Sequence, residues 1–191
     1  MAQGPNPIEL YESAVKALAP LMDGVTAAQF NSDTPCTEWS VQSLINHALA
    51  GQAFANSVLG KSTPDMAPMG QVDHALPSEG AGAAFKSITD TTLATLKAVN
   101  LEDTVTTPFG DMPGGNFVMI PITDMVIHKW DLGKATGQDS TIDEGLAELG
   151  LMALTGALSG GREGGFFGPE VTVPASASFQ DRLISYSGRT P

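Results

Sequence analysis

DMVIHKWDLGKATG, residues 124–137, is the stretch on which the fold turns. Between Val118 and Leu132 the polar residues are Thr123, Asp124, His128, Lys129 and Asp131. A helix apolar nearly all round belongs at the centre of a fold. Asp124 and His128 are i,i+4 neighbours, and Asp131 follows three residues later. All three share a stripe with Phe117 and Pro121. A buried carboxylate or imidazole without a partner costs several kcal/mol, so the stripe predicts partners. The helix is expected to start near Asn116 or Pro121, proline being tolerated in a first turn, and to end at Gly137.

A first helix is expected from Pro7 to about Met22, where Ile8, Tyr11, Val15, Leu18 and Met22 recur at helical spacing. Ser40 caps a second, which reaches Leu59 and closes at Gly60. The Lys61–Pro77 loop is long for a small fold, which fits a segment that covers something. A third helix is expected from Ser78, its cap, to Val99. A short hairpin turns across Gly110–Asp111. A fifth helix runs from Ile142 to Ser159 after a cap at Ser140 or Thr141. Residues 171–173 (VTV) are expected to be extended, and Ser178–Tyr186 to form a last short helix. The expected fold is mostly α: an antiparallel four-helix bundle with a small hairpin and a short C-terminal tail. Residues 1–160 would form the bundle and 161–191 a tail packed on it.

The second helix carries its own polar residue on an apolar face. His47 shares a stripe with Leu44, Gly51, Phe54 and Val58, and Gly51 leaves room beside it. Bundle cores build metal sites where helices converge in this way. His47, Asp124 and His128 would supply two imidazoles and a carboxylate to zinc or a similar divalent ion. Three protein ligands leave a fourth position open, as in catalytic zinc sites. Asp131 would orient a ligating imidazole by accepting its other N–H. Spacing alone leaves a plainer pattern open: an ordinary i,i+4 pair, with His47 bonded to a backbone carbonyl.

The net charge is −12, with nine Lys and Arg in 191 residues. That argues against nucleic acid and against an anionic membrane surface as partners. No apolar run is long enough to span a bilayer. MAQGPNPIEL shows no secretory signal, and the single cysteine, Cys36, fits a reducing cytoplasm. Cys36 is expected to pack as a small apolar side chain. Trp39 and Trp130 should flank the two histidine helices. His74 falls in the long loop, where an exposed ring is the default. Met66, Met69 and Met112 fit an adaptable apolar rim or ordinary gap filling. SGGREGG lacks the flanking strand and the Lys-Ser/Thr of a phosphate loop.

TPCTEWSVQSLINHALAG (residues 34–51), TDMVIHKWDLGKATGQ (123–138) and FFGPEVTVPASASFQDRLISYSGRTP (166–191) together resemble the DinB/maleylpyruvate-isomerase-like superfamily, in its actinobacterial branch of small metal-binding proteins. The resemblance spans nearly the whole chain. It implies a four-helix bundle with a divalent metal in its core, and puts His47, Asp124 and His128 on the ligand positions. Many relatives carry three histidines there, and the mycothiol-dependent isomerases a glutamate in place of Asp124. Those isomerases add a separate C-terminal domain, where this chain has a short tail.

The implied activity is metal-dependent activation of a low-molecular-weight thiol such as mycothiol, for transfer to or isomerisation of a small-molecule substrate. Zinc is the expected ion, with nickel or another divalent metal as alternatives. Two further functions fit the same site. One is a hydrolase using metal-bound water. The other is a non-catalytic metal-binding protein, in which a homodimer would be the assembly.

Overall fold

Asn6 starts α1 (Pro7–Gly24): its side chain accepts from the Ile8 amide, and Pro7 fills the first position, where no donor is needed. The structure, a computed structural model, describes residues 5–156, 160, 162, 165 and 167–191. Ser40 caps α2 (Val41–Leu59) by accepting from the Ser43 amide, and Gly60 closes it, as the sequence predicts. A one-turn helix, α3 (Ala67–Gly70), interrupts the long loop. α4 (Ala81–Ala98) begins later than expected. Gly80 is its N-cap, while the Ser78 hydroxyl turns to Glu79 instead of a helix amide.

The hairpin joins β1 (Thr104–Thr107) to β2 (Gly110–Pro113), with Thr107 opposite Gly110. The turn therefore falls at Pro108–Phe109, not at Gly110–Asp111. The Thr107 hydroxyl bonds the Gly110 carbonyl and accepts from the Phe109 amide, which closes the turn two residues early.

A single turn, α5 (Gly114–Phe117), leads into α6 (Met119–Thr136), with Pro121 in its first turn. Gly137 ends α6 at φ 70°, a left-handed conformation that glycine adopts without steric cost. α7 (Glu144–Thr155) is capped by Asp143, whose carboxylate accepts from Leu146, so neither Ser140 nor Thr141 serves as cap. The expected end of this helix at Ser159 lies outside the described residues. Among the described residues, 171–173 pair with no strand; a single bond joins the Val171 amide to the Ser185 carbonyl. α8 (Phe179–Tyr186) follows, capped by Ser178 as expected.

The chain is mostly helical with one two-stranded sheet. α1 and α2 each pack against both α4 and α6, so the four long helices close a ring. The apolar core gathers Tyr11, Leu18, Leu44, Ile45, Phe85, Phe117 and Leu132. α6 also carries α7 on its far side, and α7 in turn carries α8. That explains the all-round apolarity of α6: it is covered on several faces at once. No helix among the described residues is long and apolar enough to cross a membrane.

Candidate metal centre

α2 and α6 meet along the two stripes that hold the histidines. His47 Nε2 stands 3.4 Å from Asp124 Oδ1, and His128 Nε2 stands 3.2 Å from the same oxygen. The two imidazole rings meet edge to face at 5.1 Å. A Cβ added to Gly51 would lie 3.6 Å from Asp124 Oδ2, so that glycine faces the carboxylate. His128 is buried, while Asp124 is 28% exposed, which opens the cluster on one side.

The far nitrogens of both rings are committed elsewhere. His128 Nδ1 lies 2.8 Å from Asp131 Oδ2. An ionised carboxylate only accepts, so Nδ1 carries the proton. His47 Nδ1 faces the Met69 carbonyl at 3.5 Å, again an acceptor. The neutral tautomers that follow leave both Nε2 atoms bare. Two bare nitrogens then face a carboxylate oxygen, an arrangement of acceptors that holds only with a cation or protons among them.

In the absence of an ion, protons do the holding. Burial opposes ionisation of Asp124, but the facing His128 and His47 hold its pKa well below the usual carboxylate range. Burial works against an imidazolium at His128, yet the Asp124 charge, with bonds to Asp124, Asp131 and Cys36, holds its pKa well above the ordinary value.

The spacing fits a metal. Ligands about 2.0–2.1 Å from a tetrahedral zinc stand roughly 3.3–3.4 Å from one another. The two Nε2–Oδ1 separations fall close to that edge length and beyond the usual N–H···O optimum near 2.9 Å. On the same His128 ring, Nδ1 makes a hydrogen bond of ordinary length.

A second group, Cys36, His128 and Asp131, also brings three donor atoms together. It is a poorer cation site, because a guanidinium already fills it. Arg189 Nη2 lies 2.8 Å from Asp131 Oδ2 and 2.9 Å from Cys36 Sγ. Cys36 packs against the core, as the sequence suggests, and its sulfur is also partnered to the ion pair.

Local bonds hold these groups in place. Thr34 donates to the Trp39 carbonyl and the Trp39 amide to the Cys36 carbonyl, which shapes the loop before α2. Trp39 then lies 4.4 Å from the His47 ring and 6.0 Å from that of His128. It walls the cluster as well as flanking the helix. The long loop is tied down by Asn46, which donates to the Val72 and His74 carbonyls, and by Ser43, which donates to Asp73. That brings α3 and the Met69 carbonyl over His47. The His74 ring is exposed and turns to the Ala75 carbonyl, away from the cluster. Sequence reasoning missed Arg189, whose one signal was its place in the Gly-Arg tail.

The sequence model of the mycothiol maleylpyruvate isomerase N-terminal domain matches residues 11–133. The chain belongs to that family. It is 30% identical to an uncharacterized protein of Mycobacterium tuberculosis, strain CDC 1551 / Oshkosh, over 97% of this chain and 98% of that one. An uncharacterized protein of strain H37Rv of the same species matches equally well. Two crystal structures of a mycothiol-dependent maleylpyruvate isomerase, one of them a mutant, superimpose with TM-score 0.64 at 18% identity. They cover 80% of this chain and 68% of theirs, and at that identity it is the fold that this family member shares.

Proposed function

We propose that this protein is a divalent-metal-dependent enzyme that activates a low-molecular-weight thiol of the mycothiol type for transfer or isomerisation. The observation that carries the proposal is the convergence of two imidazole Nε2 atoms on one carboxylate oxygen at 3.2 and 3.4 Å. His47, Asp124 and His128 would hold the ion, with zinc the best match to an N, N, O donor set. A bound divalent cation supplies charge that favours the thiolate form of a thiol.

The chain's own residues do the rest. Asp131 and the Met69 carbonyl accept the Nδ1 protons and leave Nε2 of each ring to face the ion. Trp39 shields the imidazoles on one side. The exposed edge of Asp124 is where a small-molecule thiol and its electrophile enter. The thiolate attacks an electrophilic carbon: in a transfer a leaving group departs with its electron pair and the carbon–sulfur bond stays, and in an isomerisation a carbon–carbon π bond opens, the adduct rotates, and the π bond re-forms as the thiolate leaves. Three donors with solvent access favour an enzyme over a closed structural site, since the Cys36 sulfur is turned to Asp131 and Arg189.

We also read the ring of long helices as a DinB-type antiparallel four-helix bundle, with residues 1–160 as the metal-holding body and 161–191 as a tail upon it. Metal analysis of the purified protein, followed by a screen of cellular thiols against chromogenic electrophiles, tests the function. One divalent ion per chain and a thiol-dependent turnover abolished by chelator are expected. Protein without stoichiometric metal, whose behaviour His47→Ala leaves unchanged, would overturn it.

A further inference from the structure

Arg189 is the third-last residue of the sequence, yet its side chain is 11% exposed. It reaches Asp131 as a fork. Nε donates to Oδ1 at 3.0 Å, and Nη2 donates to Oδ2 at 2.8 Å. The fork is aimed by the tail. The Arg189 amide donates to the Ile184 carbonyl and Nη1 to the Ser187 carbonyl. Leu183 and Ile184 of α8 are fully buried, so the anchor is part of the core. Gly188 turns the chain at φ 88°, and a Cβ there would stand 2.8 Å from Gly168 Cα. Only glycine suits that turn.

We infer that Arg189 is a positioning residue of the metal centre: its guanidinium fixes the plane of the buried Asp131 carboxylate, and Asp131 fixes which nitrogen of His128 is left bare. This rests on the metal proposal above. His128 and Cys36 both bond Oδ2, so without Arg189 the carboxylate keeps the freedom to turn about that oxygen. Two parallel N–H···O bonds from one rigid group remove that freedom. The fork leaves Oδ2 aimed at His128 Nδ1, and the ring then presents Nε2 to Asp124.

Simple electrostatics predicts the opposite sign from positioning. Removing a positive charge near a cation site would tighten metal binding, whereas losing the orienting partner weakens it. The test is zinc affinity of the full chain by competition with a chromogenic chelator, with NMR of the His128 imidazole in the zinc-loaded protein. Arg189→Ala should weaken zinc binding by about tenfold to a hundredfold, the usual range for a lost outer partner. The Nδ1 proton, sharp in the wild type, should broaden through exchange. Arg189→Lys, which keeps the charge but not the fork, should also lose about tenfold or more, and it serves alone if the alanine variant does not fold.

Gly188→Ala should lower affinity in the same direction without altering any site group. Unchanged or tighter zinc binding in these variants overturns the inference. So does weaker binding with an undisturbed Nδ1 signal. If the wild type itself takes up no zinc or other divalent ion, the metal proposal falls instead, a separate and distinguishable result.

Discussion

Asp131→Ala, made in metal-stripped protein, destabilises the fold by about 3–5 kcal/mol, the cost of breaking one side of a buried ion pair. The structure sets this magnitude. Asp131 has no exposed surface and accepts from His128 Nδ1 at 2.8 Å, from Arg189 at 2.8–3.3 Å and from the Cys36 thiol at 3.3 Å. Alanine leaves a guanidinium, 11% exposed, with the Ser187 carbonyl and the Cys36 sulfur as its remaining partners among the described residues. For a chain of this size each kcal/mol moves the melting temperature by about 2–4 °C, so a fall of roughly 6–20 °C is expected. Calorimetry and urea unfolding in the presence of chelator measure it, which keeps metal binding out of the comparison. The Asp131→Ala/Arg189→Ala double variant should cost less than the two single losses added, with a coupling of about 0.5–3 kcal/mol. A single loss below about 1 kcal/mol, or strict additivity, would refute the claim that these residues form one buried network.

Asp124→Ala and His47→Ala should each abolish stoichiometric zinc, read by elemental analysis, since each removes one of the three facing donors. Zinc at about a thousand times its Kd should stabilise the wild type by about 4 kcal/mol in thermal unfolding and leave Asp124→Ala unmoved. Cys36→Ser should retain zinc at full stoichiometry; its loss would make the thiol a ligand. Gly133→Ala should cost about 1–3 kcal/mol by denaturant titration, because the new Cβ would fall 2.8 Å from Ser140 Cα. Lys129→Met should cost about 1–3 kcal/mol by the same titration, since it removes the ammonium's two charged hydrogen bonds to the Asp139 and Thr141 carbonyls.

Much of the helical pattern was legible because its causes are local. The Ser40 cap, the Gly137 stop and the buried stripe of α6 rest on residues within a turn or two of one another. Local reasoning failed where two neighbours compete for one role. Ser78 offers a hydroxyl, but the chain does not turn helical until after Gly80. Asp143 outcompetes Ser140 and Thr141 because its side chain, not theirs, meets the Leu146 amide. In the hairpin, the Thr107 hydroxyl selects the turn, although the glycine next to it is the more obvious signal.

For the candidate site, the sequence by itself determined the inventory: polar residues on apolar faces, namely His47 on one helix and Asp124, His128 and Asp131 on another. The residues around them implied burial, which is met at His128 and Asp131 and only in part at His47 and Asp124. The tertiary structure decided which faces meet. It brought His47 to Asp124 across 77 residues and Arg189 to Asp131 across 58. It also turned Cys36 toward the ion pair. No local spacing encodes such meetings, because they depend on how α2 and α6 pack and on where α8 sets down the tail. A periodic pattern specifies what a helix must bury, while the packing of the whole chain specifies against which partner it is buried.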